Sequence, residues 1–445
     1  MNEKKLKEIE QREATFARIE EALGKKNADA LRDYYSIFDE RYYLWQASLY
    51  SEHKNKDGET VGGYYYSCSG RDTDGYEIDL ESTMQAIGFL CGSGMIAEYG
   101  GDPGKAIPKE MQKAMVAFAK SLQSPEDGYF YHPQWGKDIS TSRRGRDLDW
   151  AAMTFKRFGG EPLYDTPSGV KGTLGAPRVS GDQKSEAPSS TLPRELQSPE
   201  NYREYLESYT EGMKTNSYYH GNLFGSFSSQ VIARGEEYIK VYEEWANALQ
   251  NPENGLWEDS VHYNSINGLM KISGTYNQLG IKFNHAEKAL VSAIKMVTHE
   301  GEDVKGKGAV NGVDVFNPFI AIHNLFANIK KYGDPDFVEK CINEMKENAY
   351  EIITVSKRKV LQFKKPDGSY GYTNNTVPPR SQAANVAVEG TLEGDINGGN
   401  LVVQGVSNFL CRSLGIEVVP LFYPSDFDAY LEVIASKKYI NQEEK

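Results

Sequence analysis

The amino-acid sequence predicts an all-α fold of the (α/α)6 toroid type, in which six helix hairpins close on themselves around a central space. Three observations predict it. A phrase in which Leu-Gln precedes Pro, an acid or amide, Gly and an aromatic occurs as LQSPEDGYF (122–130), LQNPENGLW (249–257) and LQFKKPDGSY (361–370). Amphipathic helical patterns alternate with helical patterns rich in small and apolar residues. No segment shows the sustained alternation expected of a large sheet.

Each copy of the phrase ends one helical pattern and precedes another, so each pair of patterns predicts a hairpin. The amphipathic patterns predict outer helices near 30–53, 107–123, 200–214, 236–250, 286–300 and 335–356. The patterns rich in small residues predict inner helices near 77–98, 147–158, 217–231, 263–279, 315–331 and 396–413. An inner ring of helices surrounded by an outer ring satisfies both patterns.

The hairpins fill one domain. We expect an N-terminal helix over 1–25, a single toroid domain over 26–425, and a C-terminal helix and tail over 426–445. A Pro/Gly/Ser-rich insertion at 159–195 is too long for an ordinary connection, and it is either a lid over the mouth of the toroid or a disordered excursion.

Composition narrows the function classes. A net charge of -13 without a basic stripe disfavours nucleic acid, and no apolar run is long enough to span a membrane. The charged N-terminus lacks the apolar region of a signal peptide, so we expect a cytoplasmic protein, as a monomer or homodimer. The four cysteines are scattered and predict reduced thiols, and the sequence gives no reason to expect a metal or cofactor. The 29 tyrosines suit a hydroxyl-rich ligand such as a sugar.

The repeated phrases resemble the Gln-(Asp/Asn)-Gly-aromatic turns of the α/α-toroid superfamily. That group includes terpene cyclases and protein prenyltransferase subunits and, in related toroids, polysaccharide lyases and glycoside hydrolases. The Asp-x-Asp-Asp motif of terpene cyclases is absent, with Asp72-Thr-Asp74 and Asp147-Leu-Asp149 as the nearest matches. The Asp/Cys/His zinc set of prenyltransferases is not visible either. The resemblance therefore implies the carbohydrate-active branch, with an oligosaccharide or polysaccharide as substrate.

In a toroid the loops that enter the inner helices converge on one mouth, so residues at those helix starts are the candidate site. The predicted catalytic residues are His262, Tyr263, His220, Tyr219 and Arg146. The predicted substrate-binding residues are Asn216, Asn222, Trp257, Asn267, Asp79, Glu81, Arg143, Asp149, Asp314, Asn317, His323, Tyr372 and Arg380. The competing interpretation is structural, because Asp and Asn at helix starts are favoured as N-caps whatever the function. A lone His is also more often structural than catalytic.

Three functions fit this set. The first is β-elimination on a uronic acid, which needs a carboxylate neutraliser, a base near neutrality and an acid for the leaving oxygen. The resemblance to toroid lyases implies that Asn, His, Tyr and Arg side chains fill these roles. The alternative is hydrolysis by two carboxyl groups. The candidates for that pair are Asp79, Glu81, Asp147, Asp149, Glu258, Asp314 and Asp395. The third is a glycan-binding or scaffold toroid without catalysis.

Overall fold

The computed structural model describes residues 3–178, 192–300 and 311–443, with side chains to residue 436. This part of the chain is mostly helical, which confirms the predicted all-α class. The first half contains α1 (Glu3–Leu23), α2 (Lys25–Tyr35), α3 (Glu40–Ala47), α4 (Cys68–Arg71), α5 (Leu80–Ser93), α6 (Pro103–Ala106), α7 (Lys109–Ser121), α8 (Thr141–Phe158), α9 (Pro199–Glu207), α10 (Thr210–Thr215) and α11 (Ser217–Gly225). The second half contains α12 (Ser228–Arg234), α13 (Glu236–Leu249), α14 (Tyr263–Leu279), α15 (Ala286–Val297), α16 (Gly312–Tyr332), α17 (Pro335–Glu347), α18 (Ala349–Leu361), α19 (Ile396–Gly399), a π-helical segment (Asn400–Gly405), α20 (Val406–Ser413) and α21 (Pro424–Glu443).

Two small antiparallel hairpins interrupt the helices. Strands β1 (Tyr50–Lys54) and β2 (Thr60–Tyr64) pair with Tyr50 opposite Tyr64, and β3 (Arg380–Ser381) pairs with β4 (Ala384–Asn385). The first hairpin corrects the predicted outer helix 30–53, which is divided into α2, α3 and β1. Its turn forms because the Asn55 side chain accepts hydrogen bonds from two backbone amides of the turn, which also contains a glycine with positive φ.

Three of the other predicted helices are also broken. The predicted helix 200–214 is α9 and α10, 217–231 is α11 and α12, and 335–356 is α17 and α18. The predicted helix 396–413 continues without a loop but contains the π-helical segment. Each break is a single turn between two helices, which a hydrophobic period cannot distinguish from an unbroken helix.

The inner helices contact one another in a cyclic order. Helix α5 packs on α8, α8 on α11, α11 on α14, and α14 on α16. Helix α16 packs on α20 and the π-helical segment, which packs back on α5. The last inner segment therefore lies beside the first, and the Ile396 amide donates to the carbonyl of Tyr66 over 2.9 Å.

The repeated phrase is the turn that ends an outer helix. In two copies the glutamine side chain donates to the glycine carbonyl five residues later, over 3.1 Å from Gln123 to Gly128 and 2.8 Å from Gln250 to Gly255. In all three copies the acid or amide side chain before the glycine accepts a hydrogen bond from the backbone amide of the residue after the glycine. The three glycines have positive φ. In the third copy Gln362 is exposed instead.

The described part of the 159–195 insertion packs against the first of these turns. The Gln123 side chain accepts the Leu163 amide over 2.7 Å, and the Arg178 amide donates to the carbonyl of Pro125 over 2.6 Å. Residues 159–178 are therefore held against this turn by hydrogen bonds. The segment 179–191, on which the choice between lid and disorder also depended, lies outside the described residues.

The described helices include none that combines the length and the apolar character needed to cross a membrane.

We predict that Gln250→Ala lowers the free energy of unfolding by about 1 kcal/mol, because it removes a buried hydrogen bond to the turn. Gln123→Ala should cost more, since Gln123 also bonds the backbone of Leu163 and Tyr164. Chemical denaturation measures both. Gln362→Ala is the matched control from the same motif and should be near neutral. Equal losses in all three variants would contradict this account of the turn.

Candidate functional site

The starts of the inner helices are capped by the residues that the sequence singles out there. The Asp79 carboxylate accepts the Ser82 amide over 2.9 Å, and the Asn216 side chain accepts the Tyr219 amide over 3.3 Å. The Asp395 carboxylate accepts the amide of Gly398 in the same manner. The structural interpretation of these acids and amides as N-caps therefore holds for them.

A buried ion cluster joins the first two inner helices. The Arg143 guanidinium is fully buried and lies 2.9 Å from Asp79, 3.2 Å from Glu81 and 2.9 Å from Asp147. Burial alone would raise the pKa of Glu81, but Arg146 and Arg143 together lower it. Burial raises the pKa of Asp147 to about 7 against the opposing effect of Arg143. One guanidinium shared among three carboxylates cannot compensate the desolvation of all of them.

A second layer of polar groups covers this cluster and is partly exposed. Arg146 pairs with Glu81 and donates to the Asn222 side chain over 3.4 Å. The Asn222 amide in turn donates to Ser142 and to Gln382 over 2.9 and 3.0 Å. The Nε atom of Arg146 is buried without a hydrogen-bond partner among the described residues. Arg146 is thus incompletely hydrogen-bonded within the described residues.

Lys271 completes this layer from α14. Its side chain is half-buried, and burial with the neighbouring Arg146 lowers the pKa of Lys271 to about 7, while Glu81 opposes the shift. An amine with a pKa near neutrality is partly uncharged at physiological pH and can accept a proton.

Two tyrosines lie near Arg146. The hydroxyl groups of Tyr218 and Tyr372 are hydrogen-bonded to each other, and burial raises the pKa of both phenols. Asp314 lies next to this pair and accepts a hydrogen bond from Asn267 over 2.7 Å, and Asn267 accepts one from Asn317 over 3.0 Å. Tyr218 therefore remains protonated at neutral pH and is able to donate.

Asp149 is a further titratable group near Arg146. It lies one turn beyond Arg146 on α8, is half-buried, and accepts a hydrogen bond from Ser229 over 2.7 Å. Burial raises the pKa of Asp149 to about 6, although Ser229 and Arg146 oppose the shift. A carboxyl group with that pKa is partly protonated near neutrality.

The predicted catalytic pair, His262 and Tyr263, does not belong to the partly exposed layer of Arg146 and Lys271. Both side chains are buried. The ring of His262 accepts the amide of Ser265 as an N-cap and lies 3.1 Å from Glu258, and the hydroxyl of Tyr263 donates to the carbonyl of His299. These contacts occupy the two residues in capping and packing, with no exposed surface for a substrate.

Trp257, which was predicted to bind substrate, also packs in the interior. It is buried, and its indole donates to the Ala246 carbonyl over 2.9 Å.

Four other predicted residues lie outside the cluster. Tyr219 and Arg380 are exposed. The ring of His220 packs against Tyr209 and Tyr219, on the outward side of α11. His323 packs on the ring of Phe409, on the last inner helices. The residues brought together as predicted are Asp79, Glu81, Arg143, Arg146, Asp149, Asn222, Asn267, Asp314, Asn317 and Tyr372.

The sequence reasoning missed Lys271, Tyr218 and Gln382. Lys271 had a usable signal, because it is the only charged residue in the segment Tyr263–Leu279. Tyr218 had none beyond its neighbour Tyr219, since nothing in the sequence gave the rotation of α11. Gln382 belongs to the turn between β3 and β4, which was not predicted.

Metal binding has no candidate group here. Across the described ranges, no set of three or more His, Cys, Asp and Glu side chains is arranged to hold a metal ion. Two recesses elsewhere on the surface, around Lys109 and around Lys282, contain none of the predicted residues. The charged groups around Arg146 converge from α5, α8, α11 and α14, and they form the candidate site.

We predict that His262→Ala lowers the free energy of unfolding by roughly 2 kcal/mol, since it removes the N-cap of α14 and leaves Glu258 buried without this partner. His262→Asn should recover part of the loss, because Asn is a good N-cap. The measurement is thermal unfolding, with Tyr219→Ala as the exposed control. An unchanged midpoint for His262→Ala would show that the residue is free for another role.

A second prediction concerns pH and Asp149. The pKa of Asp149 in the folded protein is raised to about 6. Below its ordinary pKa near 4, the carboxyl group therefore adds its full amount to the free energy of unfolding, relative to Asp149→Asn. This contribution is lost as the pH rises through about 6. Denaturation of both proteins between these limits measures the difference, which we expect to be on the order of 2 kcal/mol. A difference independent of pH would refute the shift.

No protein-family model matches this chain, and no curated protein is similar to it in sequence.

Proposed function

We propose that the chain is an (α/α)6 toroid and that the charged groups around Arg146 and Lys271 line a cleft at its mouth, which we call the charged cleft. The cyclic order of contacts from α5 to α20 and back supports this arrangement, as does the repeated turn at the end of outer helices. The N-caps Asp79, Asn216 and Asp395 begin inner segments that a toroid would align at one end.

Within this arrangement, we propose that the protein cleaves a uronic-acid-containing oligosaccharide or polysaccharide by β-elimination. The observation that carries the proposal is Lys271, a half-buried amine with its pKa lowered to about 7 beside Arg146. Elimination needs a base, because the proton beside the carboxylate is weakly acidic, and an amine can take that proton only in its uncharged form.

The neighbours of Lys271 supply the other two requirements. The guanidinium of Arg146 would neutralise the substrate carboxylate, and Asn222, which accepts a hydrogen bond from Arg146, would orient it. Tyr218 would donate a proton to the leaving glycosidic oxygen. In this step the C5–H bond and the C4–O bond break, and a C4=C5 double bond forms. Lys271 receives the C5 proton.

This proposal differs from the roles that the resemblance implied. It assigns the acid and the base to Tyr218 and Lys271 in place of His262 and Tyr263, because the first-predicted pair is buried in capping and packing. Arg146 has the neutralising role that the resemblance implied for an arginine.

Hydrolysis is the second candidate, and Asp149 is the observation that favours it. Its raised pKa suits a general acid, and Glu81, whose pKa is lowered by Arg146 and Arg143, suits the ionised partner. The product distinguishes the two reactions, since elimination creates a conjugated double bond that absorbs ultraviolet light and hydrolysis does not. Glycan binding without cleavage would support a non-catalytic toroid.

We predict that Lys271→Met and Tyr218→Phe each lower kcat on an active uronic-acid glycan by roughly 10²- to 10⁴-fold, because each removes a proton-transfer group. The assay is ultraviolet absorbance of the unsaturated product. Tyr219→Phe is the matched control, since it alters the adjacent exposed tyrosine and should leave the rate unchanged. Reducing ends released without the absorbance would refute elimination, and so would full activity in Lys271→Met.

A further inference from the structure

A row of amide side chains lines the contact between the last inner segment and α5. Its members are Asn397, Asn400, Gln404 and Asn408, and we call it the amide row. Gln404 donates to Asn400 over 3.0 Å, and Asn408 donates to Gln404 over 2.7 Å. Asn400 and Gln404 are half-buried, so they border space that solvent reaches.

The row is continuous with the charged cleft. The Gln85 side chain donates to Glu81 and to Asn397, over 3.2 Å in both cases. A polymer that binds at Arg146 and Lys271 could therefore extend from there to contact the amide row.

The backbone under the row is irregular. Asn400 and Gln404 belong to the π-helical segment Asn400–Gly405. Such segments are rare, and they occur frequently at functional sites because they reposition side chains that a regular helix would turn elsewhere.

Glycines of α5 leave room in front of the row. A Cβ atom at Gly88 would meet only the Asn400 side chain, at 3.7 Å, whereas one at Gly92 would collide with Gln404. Glycine at position 88 therefore leaves Asn400 accessible, and glycine at position 92 leaves room for the Gln404 side chain.

Two acceptors, one in the row and one on Gln85 next to it, have no donor among the described residues. The Oδ1 atom of Asn408 and the Oε1 atom of Gln85 are buried without partners among the described residues, and both residues are more than nine-tenths buried. Unpaired buried acceptors are costly, and hydroxyl donors would satisfy them.

An aromatic residue, Phe409, follows the last amide of the row in the sequence. Half-buried Phe409 packs on Phe316 and His323, with ring centroids 6.0 and 5.2 Å apart. Rings beside hydrogen-bonding amides match a sugar, which has hydroxyl edges and an apolar face.

We propose that the amide row, with Phe409, is a subsite for neutral sugar units of the glycan whose uronic acid occupies the charged cleft. The hydroxyl groups of these units would hydrogen-bond to the amides. This inference rests on the proposed function and names the second half of its substrate: a glycan in which uronic acid is linked to neutral sugars. The competing explanation is that the row only fastens the last inner segment to α5.

The test compares kcat/KM over cleavable oligosaccharides of increasing length. Asn400→Ala removes an amide of the row, and Gly88→Leu fills the space in front of it without removing a hydrogen bond. We expect both to lower kcat/KM on the longer substrates by about 2- to 10-fold through KM, as for one or two lost hydrogen bonds, and to leave the shortest substrate unaffected. Gln278→Ala, an exposed amide on α14, is the control.

The outcomes separate this proposal from the proposed function. Normal cleavage with no dependence on length in either variant overturns the subsite and leaves the function intact. If no oligosaccharide is cleaved, calorimetric titration measures the binding of the same oligosaccharides to the wild-type protein and to Gly88→Leu. Binding of longer oligosaccharides that Gly88→Leu weakens supports the subsite and overturns the catalysis, and no binding at all overturns both.

Discussion

The buried guanidinium of Arg143 is the interaction on which the candidate site depends. It holds Asp79 and Glu81 of the α5 start against Asp147 of α8, so the first two inner helices meet at a fixed distance and rotation. Its charge, with that of Arg146, also keeps the neighbouring Glu81 ionised. Without it three carboxylates would face one another away from water, which is unfavourable enough to separate the helices. The accessible layer of Arg146, Lys271 and Asn222 is built on this foundation.

Much of the helical architecture could be predicted from the sequence, because local signals mark it. The helix α14 has its predicted bounds of 263–279, and α13 ends within one residue of its prediction. An N-cap and a glycine turn identify such ends whatever the tertiary structure. The β1–β2 hairpin was missed because it is short and lies next to a strong helical pattern.

The site was predictable only in part. Charged residues at helix starts, such as Glu81 and Arg146, were found because connectivity alone brings helix starts together. Lys271 lies two turns inside α14, and its place in the cleft depends on how that helix is rotated. The same rotation buries His262 and Tyr263. Neither a cap signal nor a hydrophobic period distinguishes a histidine that caps a helix from one that faces a substrate.

The contact between the first and last inner segments has a consequence for folding. Gln85 and Asn397 meet across 312 residues of chain, whereas the other inner helices pack on partners close to them in sequence. The entropy of closing such a long loop grows only slowly with its length, so the thermodynamic cost is moderate. The kinetic effect is larger, because non-local contacts form slowly and local hairpins are stable first. The contact between these segments is therefore expected to form last in folding.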